Sequence, residues 1–301
     1  MILGDYVFVA VLSDSPEKRE EFCKALGKES GKGDVSFYVI AREGKEKTII
    51  EPTLYPQKIH PLAYTLYIAD YVVVIADQLT PQLGEIIVAL DSLKKENGLL
   101  VTQLNLPVKG TVVEKYERIA DINAAKEKII NLEEGGAQSD SELLAFVDQY
   151  INVKSVGNVA IGSIKEGKIK KHDRLIFLPQ KKELEVRSIQ INDKDVEEAK
   201  AGEKFGIAYK GEPIERGLLV SIRSEFENGK NIMGRFQKSP FFVADTNRKL
   251  HFCYGFNSVE GYVLENSISL DKEIPYRKRD PLLVLDPSNQ KLRIVGSFIP
   301  T

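Results

Sequence analysis

The hydrophobic period of this chain changes near residue 150, and that change limits the possible folds more than any other feature. Before it, apolar runs alternate with helical patterns. Tyr6–Leu12, Val35–Ala41, Tyr71–Ala76 and Leu99–Gln103 read as strands, with a shorter one at Thr48–Ile50. Y-V-V-V-I-A over 71–76 is a continuous apolar run, the pattern of a strand buried on both faces of a parallel sheet. Glu17–Leu26, Pro61–Ala69 and Thr80–Lys95 carry helical spacing; in the last, Leu83, Ile86, Ile87, Leu90 and Leu93 share one face. Arg42–Lys47 reads as a charged turn and Gly135-Gly136 as a flexible one. Ser139 with Glu142 reads as a capping box for a closing helix over Glu142–Tyr150. Strands alternating with helices predict a parallel sheet with right-handed crossovers.

From Ile151 the period becomes two, and glycines punctuate it. Val159–Ile164, Arg174–Leu178, Glu183–Ile191 and Phe205–Tyr209 read as strands; so do Pro240–Ala244, Lys249–Tyr254, Glu260–Val263, Pro281–Leu285 and Lys291–Ser297. That spacing belongs to small barrels. The expected organisation is an α/β unit over 1–150, then two all-β barrel domains over 151–222 and 223–301.

The first strand–turn–helix has the outline of a phosphate-binding loop. Such a loop needs G-x-x-x-x-G-K-[ST] between strand and helix. Laid over S-D-S-P-E-K-R-E, the pattern puts Ser13 and Lys18 on the two glycines, Arg19 on the Lys and Glu20 on the Ser/Thr. The glycines let backbone N–H groups close round phosphates, the Lys neutralises them and the hydroxyl holds magnesium. None of these groups is present, and Glu20 and Glu21 are expected to set carboxylates where phosphate oxygens would sit. A plain reading also fits: Ser15 as N-cap, Pro16 at the first helical position and Glu17 near the positive helix end serve any such unit.

Charge is uneven. Lys and Arg total 42 against 44 Asp and Glu, a net charge of −2. The acidic excess lies in the first 150 residues and the rest is mildly basic, which permits RNA contact without requiring it. No run of about 18 apolar residues is present, so no membrane partner is expected. Met1–Val11 lacks the basic region of a signal peptide. Cys23 and Cys253, the only cysteines, give neither a disulfide framework nor zinc spacing, and suit a reducing cytoplasm. Absent Trp, scarce Met and Cys and abundant Lys and Glu lean towards a thermophile.

The middle of the chain carries a resemblance. I-N-V-K-S-V-G-N-V-A-I-G from Ile151, S-I-K-E-G-K-I-K-K-H-D-R-L from Ser163, then Val186–Gln190, Ala201-Gly202, Gly206–Ala208 and Ile214–Gly217 resemble the second domain of translational GTPases. Elongation factor Tu, the archaeal selenocysteine-specific factor and the gamma subunit of archaeal initiation factor two share this pattern. One departure is His172-Asp173, where the family has Gly-Asp. Lys249–Tyr254 and Leu292–Ser297 resemble closing strands of the third domain. The resemblance implies that residues 1–150 are a G domain with P-loop-like topology. Its D-x-P-G segment falls near Glu51–Gln57, where it is absent or shortened. Its N-K-x-D segment falls near Thr102, Gln103 and Asn105, without the carboxylate that pairs with guanine. The nucleotide motifs fail together, so the expectation is a degenerate G domain with no catalytic residue and no cofactor.

Histidines 60, 172 and 251 fall in three different expected domains, against a shared metal or catalytic site. His60 is expected in a loop, His172 in a turn and His251 on a strand surface. Asp193, Asp195, Glu197 and Glu198 are either a cation site or a solvated loop. The family's second barrel leans on small-subunit ribosomal RNA, so Lys165, Lys168, Lys170 and Lys171 are candidates for phosphate contact, with ordinary surface lysines as the other reading. Arg277, Lys278 and Arg279, with Tyr276 to stack, form the densest basic run, and Arg223, Arg235 and Lys238 are expected to extend it. Three functions stay open: a non-GTPase paralogue binding the ribosome or tRNA, with dormancy, dimerisation or occlusion as its role; a protein-binding scaffold acting through the acidic first domain; and a GTPase with unfamiliar ligands. Ribosome or ribosomal RNA is the first expected partner, and a homodimer is compatible with the sequence.

Overall fold

The computed structural model describes residues 8–42, 45–132 and 141–301. The first unit runs β1 (Phe8–Ser13), α1 (Pro16–Leu26), β2 (Lys28–Gly31), β3 (Ser36–Arg42), β4 (Lys45–Glu51), α2 (His60–Ile68), β5 (Tyr71–Ile75), α3 (Pro81–Ser92) and β6 (Gly98–Val101). A 3-10 turn (Val112–Lys115), β7 (Glu117–Ile119) and α4 (Ile122–Ile130) complete it. Among the described residues its seven strands lie in the order β2-β3-β4-β1-β5-β6-β7. β1 pairs in parallel with β4 and β5, and β5, β6 and β7 continue in parallel, whereas β3 runs antiparallel to its neighbours β2 and β4. The expected parallel sheet is therefore present, with an antiparallel edge.

Alternation in β1 sends Val9 and Val11 towards α1 and α4, where Phe22, Cys23, Ala125 and Ile129 meet them. Ala10 and Leu12 face α2 and α3. The signals at the start of α1 act as read: Ser15 Oγ accepts from Lys18 N and Pro16 opens the helix; the structure adds a second cap, Thr80 Oγ1 accepting from Leu83 N at 3.1 Å to open α3.

The second unit comprises β8 (Leu144–Val153), β9 (Gly157–Glu166), β10 (Lys168–Lys170), β11 (Arg174–Leu178), β12 (Lys182–Ile191), β13 (Lys194–Val196), β14 (Glu198–Lys200), β15 (Lys204–Lys210) and β16 (Gly217–Ser221). The order β11-β16-β8-β9-β15-β12 closes through the β11–β12 pairing, with β13 appended to β12 and β10–β14 as a separate ribbon. The third unit is a closed barrel, β17-β20-β19-β18-β21-β22, built from β17 (Glu227–Lys238), β18 (Leu250–Tyr254), β19 (Asn257–Val263), β20 (Ser267–Tyr276), β21 (Leu282–Leu285) and β22 (Ile294–Pro300).

Several expectations change. The closing helix over Glu142–Tyr150 is instead β8, so the second unit's first strand begins at Leu144, ahead of Ile151. Leu143, Ala145 and Val147 enter the second barrel's core while Leu144 and Phe146 enter the core shared with the third. Burial on both faces hides a period of two. Pro240–Ala244 is turn and irregular chain, with Phe241 and Val243 exposed. β2, β7, α4, β17 and β20 carry no clear signal in the sequence. β3 reaches Arg42 and β4 starts at Lys45, so most of the expected charged turn is strand; its centre at 43–44, Gly135-Gly136, Ser139 and the first residues of the Tyr6–Leu12 strand lie outside the described residues.

The units are joined by one continuous core. Leu62, Leu66, Ile86 and Leu90 of the first share a cluster with Phe252, Leu283 and Phe298 of the third and with Phe146 and Leu218 of the second. Ion pairs rim it. Arg216 forks onto Asp34 at 2.8 and 2.9 Å and reaches Asp148 at 2.7 Å. Arg293 binds both Glu85 oxygens, at 3.0 and 2.6 Å, and donates to Pro56 O at 2.8 Å. Tyr67 Oη reaches Cys253 O and Pro281 O at 2.5 and 2.9 Å and accepts from Leu283 N at 2.8 Å.

Candidate functional site

In an open doubly wound sheet, ligands bind beyond the carboxyl ends of the strands, where the strand order reverses. Here that place is the end of β1, flanked by β4 and β5. Only Asp14 and Ser15 separate β1 from α1. Ser13 Oγ accepts from Ser15 N at 3.2 Å, and Ser15 Oγ donates to Glu17 at 3.1 Å. Thr80 Oγ1 donates to Asp14 at 2.7 Å, and Lys18 pairs with Asp77. The protein's own carboxylates and hydroxyls thus cluster at the start of α1.

Beneath them lies Arg19, with no solvent exposure. Its Nε donates to Glu51 Oε2 at 3.0 Å, Nη1 to Ser13 O at 2.8 Å, and Nη2 to Pro52 O and Tyr55 O, both at 2.9 Å. Glu51, 2% exposed, also accepts from Tyr38 Oη at 2.7 Å. One guanidinium therefore ties the end of β1 to the segment after β4, which the resemblance matched to D-x-P-G. Glu20 and Glu21 do not approach this place, contrary to expectation. Glu20 pairs with Lys24 at 2.6 Å one helical turn on, and Glu21 is exposed. The helix turns them outward because only Arg19, Phe22, Cys23 and Leu26 share its buried face. At the end of β6, Thr102 Oγ1 donates to Ala76 O at 2.6 Å and accepts from Leu104 N at 3.0 Å, while Gln103 and Asn105 are exposed.

The basic candidates divide. Lys165 is an inter-unit strut, donating to Ile68 O at 2.8 Å and pairing with Asp70. Arg277 is another: it forks onto Glu166 at 2.7 and 3.0 Å and reaches Asp280 at 2.9 Å. Tyr276 is 9% exposed in β20 and donates to Glu227 at 2.7 Å, so its ring offers no stacking face. These three expectations are corrected: the acceptors that hold them came from distant segments. Lys170, Arg223, Arg235, Lys278 and Arg279 remain exposed, and Lys168 partly so. Lys171 pairs with Glu197 at 3.4 Å, and Lys238 donates to Ala244 O at 2.9 Å.

The acidic run divides: Asp193 and Asp195 lie on the exposed β12–β13 hairpin, where Asn192 and Asp193 take positive φ and Asp195 accepts from Gln190 at 3.0 Å, while Glu197 follows β13 and Glu198, in β14, pairs with Lys200 at 3.1 Å. Among the described residues, no group of three or more His, Cys, Asp or Glu is placed to hold a metal. His172 occupies a turn with φ of 71°. His60 opens α2 rather than lying in a loop, and the expected separation of the histidines fails for one pair: His60 Nε2 lies 3.3 Å from His251 Nδ1. The sequence reading passed over Asp34, Asp70, Glu85, Arg216 and Arg293. The available signal was a lone charge inside an apolar run, as in L-G-E-I-I-V-A-L and K-L-R-I-V-G.

The family model for elongation factor Tu domain 2 matches residues 157–220. An uncharacterized protein of Methanocaldococcus jannaschii is 34% identical over 295 residues, covering 91% of this chain and 94% of that protein. The selenocysteine-specific elongation factor of the same organism is 37% identical over 78 residues, 25% of this chain and 17% of that one. Among solved structures, translation elongation factor SelB from Methanococcus maripaludis, in complex with the GTP analogue GppNHp, aligns with a TM-score of 0.80 at 19% identity, covering 99% of this chain and 79% of that one.

Proposed function

The chain belongs to the translational GTPase-like family, and we propose that within it this protein works without guanine nucleotide, as a translation-factor paralogue of fixed shape that binds the ribosome or a tRNA. The observation that carries this reading is Arg19, buried and already engaged by the protein's own acceptors. At the place where a phosphate-binding lysine is expected, a buried guanidinium already holds Glu51 and three backbone carbonyls. Two loop residues give no cradle of backbone N–H groups, and Asp14, Glu17 and Asp77 supply like charge that repels phosphate.

Switching in this fold class works through a γ-phosphate that orders loops. Without a phosphate seat, the inter-unit ion pairs and shared core keep one arrangement. A body of one shape acts by occupancy: it blocks a factor or tRNA site, or holds subunits idle. Contact with RNA falls to the exposed Lys170, Lys278 and Arg279 and the partly exposed Lys168 rather than to Lys165, Arg277 or Tyr276.

The deciding experiment is sedimentation of a cell lysate through gradients at low and moderate salt, with immunodetection of the protein. Migration with ribosomal particles, lost as salt rises, is expected and names the subunit. Migration only as free protein discards the ribosome reading and transfers the proposal to a protein partner.

A further inference from the structure

His60 opens α2 in the first unit, and His251 lies in β18 of the third, 191 positions later. Their ring centroids stand 5.1 Å apart, and His60 Nε2 is 3.3 Å from His251 Nδ1. The struts described above join a cation or a hydroxyl to an oxygen acceptor; this contact joins two imidazoles. Two neutral imidazoles facing each other hold one N–H between them. A divalent cation instead takes both lone pairs. Two metal–nitrogen bonds of about 2.0–2.1 Å at a tetrahedral angle set the nitrogens about 3.3–3.4 Å apart, close to the spacing here.

The surroundings favour neutral, oriented ligands. Glu260 Oε1 stands 3.7 Å from His251 Nε2. An Nε2–H facing that carboxylate leaves the Nδ1 lone pair towards His60, the outer-shell arrangement that orients metal-binding imidazoles. Burial first, then His251 and Arg293, lower the proton affinity of His60 to about 4, so the ring is uncharged at neutral pH. Lys58 adds to this lowering and Asp34 opposes it. The Tyr64 ring also neighbours His60, with centroids 6.2 Å apart. Both rings remain partly open to solvent.

We propose that His60 and His251 form a two-imidazole clamp for a late first-row divalent cation of the Zn²⁺, Ni²⁺ or Cu²⁺ class, with water completing the coordination, so that one ion ties the first unit to the third. Imidazole selects these ions, while Mg²⁺ and Ca²⁺ require oxygen ligands that the pair lacks. With no third protein ligand beside the pair among the described residues, binding is weaker than at a four-ligand structural site. Each ring must present a free lone pair to the ion, so the N–H now held between the two nitrogens has to move to the far nitrogen of its ring or be replaced by the metal. The clamp is independent of the nucleotide reading and stands or falls separately.

The full chain, freed of metal, is titrated with ZnCl₂, NiCl₂ and CuCl₂ in a buffer without chelating groups. Calorimetry, melting temperature and the visible absorption of bound Cu²⁺ are followed. One equivalent is expected at neutral pH, with a saturable rise in melting temperature and no response to MgCl₂. His60→Gln and His251→Gln should each weaken binding at least tenfold. Their metal-free melting temperatures report folding separately, and the Cu²⁺ band reads imidazole coordination whatever the stability. Absence of saturable binding, or unchanged stoichiometry and affinity in both variants, overturns the proposal.

Discussion

Arg19 Nε donates to Glu51 Oε2 across 3.0 Å, and neither side chain is more than 2% exposed. The pair lies beneath the carboxyl ends of β1 and β4, and the rest of the guanidinium is spent on the main-chain carbonyl of Ser13, at the end of β1, and on those of Pro52 and Tyr55 in the segment leading to α2. A charge so withdrawn from water persists only with its partner. Arg19 thus fixes the geometry of the loop after β4 as well as filling the sheet's ligand-binding end.

Arg19→Met should destabilise the protein by about 3–5 kcal/mol, since it leaves Glu51 charged and buried. Adding Glu51→Gln should recover part of the loss, because a neutral amide leaves no buried charge and still accepts from Tyr38. The three freed carbonyls prevent full recovery. Denaturant melts of the wild type, single and double variants give the comparison; an additive double variant refutes the coupling.

GTP with magnesium should leave the melting temperature unchanged. A nucleotide bound at about 100 times its dissociation constant adds roughly 2.7 kcal/mol, which a thermal scan resolves easily. Arg19→Lys should not restore binding, because the two-residue connection between β1 and α1 still lacks a phosphate cradle. A saturable shift with GTP but not ATP in the wild type would remove the nucleotide-free reading.

Tyr67→Phe should loosen the joint between the first and third units. The hydroxyl serves Cys253 O, Pro281 O and Leu283 N together, and its loss leaves them unpaired. The expected cost is about 1–3 kcal/mol, with faster proteolysis between units. Equal cleavage rates in the two proteins would mean that the shared core alone sets the joint.

If the β9–β10 face meets RNA, Lys168→Ala with Lys170→Ala should flatten the salt dependence of ribosome co-sedimentation, by about 0.7–0.9 in log–log slope for each lost phosphate contact. Lys165→Ala should instead lower the melting temperature, since its partner Asp70 lies in the first unit. An unchanged slope in the double variant removes this face.

His60 gives a pH dependence of definite sign. Its proton affinity falls from 6.5 to about 4 on folding, so between those values the unfolded chain binds the extra proton. Stability should be complete above pH 6.5 and decline towards pH 4, by roughly 3 kcal/mol at most for this group. The metal-free His60→Gln protein should lose that part of the profile; an identical profile would assign it elsewhere.

The sequence alone determined the α/β unit, the two barrels and the main strands of the first sheet, because those rest on local periodicity, caps and glycine spacing that neighbouring residues set. β8 escaped it, since Leu143–Val147 is buried on both faces and shows no alternation. The candidate site was legible only as loss: the missing glycines, lysine and hydroxyl are local facts. What replaced them was decided by tertiary structure. Arg19 meets an acceptor 32 positions away, Arg277 one 111 away and Arg293 one 208 away. A lone charge in a sequence has no visible partner, and the cost of burying it makes the partner decisive. Hence residues that read as a basic surface became struts between units, and two histidines from separate units came to share one contact.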